Sequence, residues 1–270
     1  MIAEMYKRRE KFGYGFLGAT LLIILLWMLF NTPETTREWL EMLFFLIPLG
    51  LIAFVIVQSR SHFNMVKELE IVNSKQELID MDHVVIKKDV SFTPRLLFFE
   101  KDGSFIGMMK PLHIPWWMFP FRLLNESMLE LFPLTYGFIA YNEEIKFTYR
   151  KQGWLKRVRL TIFDKDNKEI GKYIQEEFKT LFHIKGNLLN EQGKLLLNIK
   201  ASGFSGDFSW NDEDGKQWAY FYNGKFPHEN TDIFRDTQND IVELADTLSE
   251  EDKIRMLSVI GHLFMTKNKQ

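Results

Sequence analysis

Two stretches near the N-terminus limit what this chain can fold into more than anything else in it. "YGFLGATLLIILLWMLF", Tyr14 to Phe30, and "MLFFLIPLGLIAFVIVQ", Met42 to Gln58, carry no charged residue. Roughly 17 apolar residues is the short end of what crosses a hydrocarbon layer as a helix. Pro48 inside the second run is compatible with a span, because membrane helices accept proline where neighbours re-satisfy the freed carbonyl. Between the runs, "NTPETTREWLE" supplies polar residues and Pro33, enough for a tight turn. Lys7, Arg8, Arg9 and Lys11 imitate the basic start of a signal peptide, but no small-residue cleavage site follows Phe30 and a second apolar run does. The expectation is a two-span hairpin over residues 1–62, spans 14–30 and 42–58.

Lysine and arginine near span ends set orientation. Four precede the first span (Lys7, Arg8, Arg9 and Lys11), only Arg37 lies between the spans, and Arg60 and Lys67 follow the second. Both termini are therefore expected on the cytoplasmic side, with the larger C-terminal part a cytosolic domain tethered to the inner face of the cell membrane. "FNMVKELEIVNSKQELIDMD", Phe63 to Asp82, has apolar residues at 65, 66, 69, 72 and 79, an imperfect helical stripe. A linker helix over 63–82 is expected.

From residue 83 the texture changes to short alternating runs broken by turn dipeptides. Asp102-Gly103, Asp166-Asn167, Gln192-Gly193 and Asp214-Gly215 each sit between β-prone segments. Such dipeptides mark hairpins, with positive φ expected at both turn positions. "GFIAYNEEIKFTYRKQGWLKRVRL" supplies at least two more strands. The result is an antiparallel meander long enough to close into a barrel or fold into a sandwich. The C-terminal "TLSEEDKIRMLSVIGHLFM" opens with Ser249 as N-cap and three carboxylates in the first turn, where the helix dipole favours them. Its later residues are apolar on nearly every face, and it is too short to span a bilayer, so it must be buried. The interior of a β-barrel is the natural place.

The order of these segments resembles the tubby C-terminal-like group, which includes the scramblase-like and LURP-one-related proteins. Hairpins such as "FFEKDGSFIGMM" and "DFSWNDEDGKQWAYFY" are followed by the hydrophobic helix "KIRMLSVIGHLFM". The resemblance covers about Val84 to Met265 and implies a closed barrel around a central helix. The insertion "PLHIPWWMFPFRLLNESMLELFP" departs from the compact early strands of that group, and the two spans lie outside it. The expected fold class is thus membrane-anchored α+β: a transmembrane hairpin, then a barrel-like domain over 83–270 enclosing its C-terminal helix.

Composition narrows the function. A formal net charge of -2 offers no basic excess for nucleic acid, and a chain without cysteine holds no thiolate nucleophile or disulfide. The six histidines lack metal-ligand spacing, "GFSGDF" fails the nucleophile-elbow pattern, and the acidic clusters "DKDN" and "NDEDG" lack calcium-loop spacing. No catalytic residue, cofactor or metal is expected. His262 is expected to be a core histidine.

Two segments suggest binding. "YRKQGWLKRVRL" gathers Arg150, Lys151, Lys156, Arg157 and Arg159. If Val158, Leu160 and Ile162 face the core, Arg157 and Arg159 share the outer face. That face is either an ordinary solvated strand or a contact for anionic phospholipid, since a negative leaflet attracts nearby Lys and Arg. "PLHIPWWMFPFRLL", 111–124, is too broken by proline for a helix or a central strand, yet it carries Trp116, Trp117, Phe119 and Arg122. It can pack under the barrel mouth, lie at the bilayer interface, or meet another membrane protein. The expected activity is non-enzymatic binding of lipid headgroups or of a membrane partner. The alternatives are a regulatory subunit that recognises a protein through 111–124, and a scramblase-like lipid-handling role.

Overall fold

In the computed structural model, residues 2–89, 91, 93–118, 132–153, 157–180, 183–202, 208–224, 233 and 239–266 are described, with the backbone alone at 79, 176–180, 183, 184, 201, 202, 208, 223 and 224. The chain forms two compact units, Met1–Glu70 and Ile71–Gln270.

The first unit is a helical hairpin: α1 (Ile2–Phe30), a short α2 (Thr36–Met42), a 3-10 turn (Leu43–Phe45) and α3 (Leu46–Val66). Thr35 caps α2, its hydroxyl oxygen accepting from the Glu38 N–H at 3.3 Å. Pro48 falls just behind the 3-10 turn, so its missing donor coincides with the change of helical pitch. The helices run antiparallel, with Trp27 against Phe45, Gly13 against Ile56, and Tyr6 edge-on to His62 at 5.1 Å between centroids. A Cβ at Gly13 would lie 2.6 Å from Ile56 Cγ1, so the close approach there requires glycine. Phe16, Ile23, Leu29, Leu51, Phe54 and Val57 all point outward and are exposed. Ile2–Phe30 and Thr36–Val66 are each long and apolar enough to cross a membrane.

The linker helix expected over 63–82 is not formed. α3 ends at Val66; residues 72–74 run extended and bridge to Phe105, whose N–H donates to the Val72 carbonyl at 2.8 Å. A 3-10 turn follows at Leu78–Asp80. The β-branched pair Ile71-Val72 disfavours helix, and Ser74 uses its hydroxyl oxygen to accept from the Gln76 N–H at 3.0 Å.

The second unit is a 12-stranded, entirely antiparallel sheet. Its strands are β1 (His83–Asp89), β2 (Arg95–Phe99), β3 (Phe105–Pro111), β4 (Thr135–Ala140), β5 (Ile145–Gln152), β6 (Arg159–Phe163), β7 (Glu169–Thr180), β8 (His183–Asn190), β9 (Leu195–Ser202), β10 (Phe208–Asn211), β11 (Gln217–Gly224) and β12 (Asn239–Leu244). β1 to β9 form a meander, and β10 to β12 continue it on the other side of β1, so the sheet curls into a nearly closed barrel. The remaining seam lies between β9 and β10. There the Trp210 indole N–H donates to the Lys200 carbonyl at 3.0 Å. Trp210→Phe, which keeps the ring and deletes the donor, should cost about 1–2 kcal/mol in the denaturant midpoint. An unchanged midpoint would mean that the seam needs no such bridge.

The interior is filled by α4 (Glu250–Thr266), buried without interruption from Lys253 to Met265. Ser249 caps it as expected: the Asp252 N–H donates to the Ser249 hydroxyl oxygen at 3.2 Å. Inward residues of the strands, among them Phe98, Met109, Phe138, Phe147, Leu160 and Ile199, surround it in one core. Gly261 lets the helix approach β3, since a Cβ there would lie 2.1 Å from Met109 Sδ.

Hairpins form at all four expected dipeptides and at Tyr141–Glu144, but their turn type differs from expectation. Each has one positive-φ residue rather than two: Gly103, Glu143, Asn167, Gly193 and Gly215. In each, that residue's N–H closes a turn on the residue three back, as Gly103 does on Glu100 at 3.0 Å. The ladder then slips at a bulge beside the turn. These are three-residue loops closing with a left-handed residue, a form in which the acidic first position helps. Asp164 and Asp212 each accept two backbone N–H bonds through Oδ1.

Because the meander alternates direction, these five turns lie together at one end of the barrel, with the start of α4. The β3–β4 and β5–β6 connections lie at the opposite end. The end of α4 is there too, and the Lys88 ammonium donates to the Met265 carbonyl at 3.1 Å.

Candidate functional site

The topology brings the two segments singled out in the sequence to that same loop end. The aromatic segment joins β3 to β4 and the basic one joins β5 to β6; the Lys151 N–H donates to the Leu134 carbonyl at 2.9 Å where they meet.

Alternation along β6 is as the sequence implies. Val158, Leu160 and Ile162 are buried, and Arg157 and Arg159 are exposed. Arg150 is also exposed, its guanidinium 5.8 Å from the Phe163 ring centre. Lys151 departs from expectation. It shares the inner face of β5 with Phe147 and Tyr149 and is only 4% exposed, so it faces the core and offers nothing to a ligand outside. Lys156 lies outside the described residues, as do Phe119 and Arg122.

In the aromatic segment, Pro111 ends β3 opposite Tyr136, and a 3-10 turn forms over Trp116–Met118. Met118 is buried beneath it. Trp117 is half exposed and sets its ring edge-on to Phe132 at 5.5 Å, whereas Trp116 is 88% exposed. Packing therefore accounts for part of the segment and leaves one indole in solvent.

A cleft of about 540 Å³ opens beside Arg157 and Arg159, walled by Gln152, Gly153, Ile174 and Gln175. Gly153 stands at its edge, packed close against Arg157. Its φ is +91°, and a Cβ there would meet the Arg157 carbonyl oxygen at 2.0 Å. Sequence reasoning found the arginines and missed the other walls. Gln175 leaves no signal until the phase of β7 is known.

The barrel interior also holds polar groups that sequence reasoning did not bring together. Burial, and secondarily the Lys151 charge, pushes His262 down to about 3. Its ring lies 6.5 Å from that of Tyr173, whose phenol is pushed up by burial. At the opposite end, the Trp218 indole N–H at 3.1 Å lowers the Asp212 carboxyl, helped by backbone N–H groups of the turn. Among the described residues, no three His, Asp or Glu side chains gather as metal ligands would.

Compared with models of known protein families, with curated proteins and with solved structures, the chain has no match.

Proposed function

We propose that this chain is a two-span membrane protein with both termini in the cytoplasm, whose tubby-like barrel contacts the anionic face of the same membrane without catalysing a reaction. The outward apolar side chains of α1 and α3 support insertion, because a helix pair apolar on its outside suits lipid rather than water. The excess of Lys and Arg flanking the hairpin over the single Arg37 in its connection supports the orientation. Only Lys67 to Ile71 separate α3 from the first sheet-paired residue, a reach of about 20 Å when extended.

The observation that carries the contact is the solvent-exposed Trp116 at the same end as Arg157 and Arg159, neither of which has an ion-pair partner among the described residues. Indole rings favour the interface, and each arginine adds ~1 kcal/mol beside a negative leaflet. The test uses the full chain in nanodiscs with lipids brominated near the headgroup, with and without phosphatidylserine. Tryptophan quenching should exceed that of Trp116→Phe/Trp117→Phe when phosphatidylserine is present, and the excess should shrink in about 0.5 M salt. Equal quenching in both proteins at every composition would remove the lipid contact and favour a protein partner on 111–124.

A further inference from the structure

We propose that the cleft beside Arg157 and Arg159 is a discrete phosphate-binding site, built for a phosphomonoester carried on a lipid or on a small soluble molecule. The inference deepens the membrane-contact reading and rests on it only for the lipid as source.

Three observations converge on the cleft. Arg157 and Arg159 flank it from alternate positions on one face, with no carboxylate partner among the described residues and no acidic side chain among its described walls. Gln175, at 1% exposure, lines it as well, and its amide nitrogen is buried with no hydrogen-bond partner among the described residues. A buried amide donor is normally satisfied, so one left open at the wall of a cationic cleft points to an acceptor supplied from outside the chain. The third observation is the Gly153 turn at the edge of the cleft, whose left-handed backbone packs so close to the Arg157 carbonyl that any side chain would collide with it, which fixes the chain just before Arg157 and Arg159.

Ligand class follows from charge and size. Two guanidinium forks present paired N–H donors that suit phosphate oxygens, and their two charges match the roughly -1.5 to -2 of a phosphomonoester better than one carboxylate or phosphodiester. At about 540 Å³ the space exceeds a bare phosphate and falls in the range of small-molecule pockets. It therefore admits the phosphate together with the group that carries it. Val158 and Ile174 supply apolar wall for that group.

The test uses the full-length protein in a neutral detergent and measures binding by titration calorimetry. The probes are dioctanoyl phosphatidate, dioctanoyl phosphatidylserine and glycerol 3-phosphate. Phosphatidate should bind one per chain and about tenfold tighter than phosphatidylserine, with glycerol 3-phosphate competing. Arg157→Lys/Arg159→Lys keeps the charge but loses the forks and should abolish that preference; Gln175→Leu should weaken phosphatidate severalfold. Binding of glycerol 3-phosphate with neither lipid would uphold the site and assign it to a soluble ligand, against the lipid reading. Equal binding of both lipids, unchanged in the lysine pair, would overturn the site and leave a general membrane contact standing. No binding of any probe would also overturn the site, and the nanodisc quenching would then decide the membrane contact separately.

Discussion

Leu257→Asp should leave the chain without a folded barrel while the helical hairpin keeps its helices. Leu257 is fully buried near the middle of α4, which is enclosed on all sides. Losing the leucine side chain alone costs about 2–5 kcal/mol at a core site. Burying a carboxylate without a partner adds several more, and the sum approaches the ~5–15 kcal/mol that holds a typical domain together. Because residues 1–70 form a separate compact unit, α1 and α3 should survive. The expected result is loss of the near-UV circular dichroism of the aromatic core and rapid proteolysis after residue 83, with helical far-UV signal retained. Leu257→Met conserves volume and should cost under about 1.5 kcal/mol. A Leu257→Asp protein with an unaltered cooperative transition would show that the helix does not occupy the barrel.

Acid should destabilise the barrel through His262. Its folded value is about 3 against an ordinary 6.5. Above pH 6.5 both folded and unfolded chains hold it neutral, and it contributes no pH dependence. As pH falls from 6.5 towards 3, the unfolded chain takes up a proton that the folded chain refuses, so stability drops by ~1.4 kcal/mol per unit and levels off near 3. Between pH 7 and pH 4.5 the loss attributable to His262 is on the order of 2.5 kcal/mol. The neighbouring Lys151 charge acts in the same direction, since it opposes imidazolium. Surface carboxylates such as Asp212 titrate too, so the informative quantity is the difference from His262→Gln. Urea midpoints of that variant should decline less than those of the wild type between the two pH values. Parallel declines would mean that His262 is hydrated in the folded state.

The features legible in the sequence were those carried by a strong local physical preference. The charge-free runs, the acidic turns and a helix apolar on nearly every face each announce one local structure, and long apolar helices, hairpins and a buried helix stand in those places. Local chemistry misled where two conformations satisfied it equally. Asp102-Gly103 suits a two-residue turn or a longer one with a single left-handed residue, and only the register of the flanking strands selects the second. The stripe at 65–79 suits a short helix until Phe105 offers Val72 and Ser74 a ladder partner from elsewhere in the chain.

Phase is the other source of error. Arg157 and Arg159 were placed correctly because three apolar residues alternate with them; Lys151 was not, although Phe147 and Tyr149 fix the inner face of β5 four and two residues earlier. On α4, Lys253 and Arg255 are buried despite their charge. The first donates to the Met81 carbonyl at 2.7 Å, and the second to the Ile170 carbonyl at 2.9 Å and the Glu251 carboxylate at 2.7 Å. Those acceptors lie on other elements or across a helical turn, and no propensity anticipates them. The pairing of β12 with β1, which adds β10 to β12 to the far side of the meander, is likewise a long-range event.

The position of α4 after all twelve strands also fixes an order of events during synthesis. Chains grow from the N-terminus at about 5–20 residues per second, and domains fold as units once their parts are present. Every strand of this barrel leaves the ribosome before the helix that fills it. The apolar inner faces of β1 to β12 must therefore wait for their own core to be translated. A chain cut short anywhere before Glu250 has strands with nothing to close around, which makes α4 a molecular proof that the strands before it were made in full.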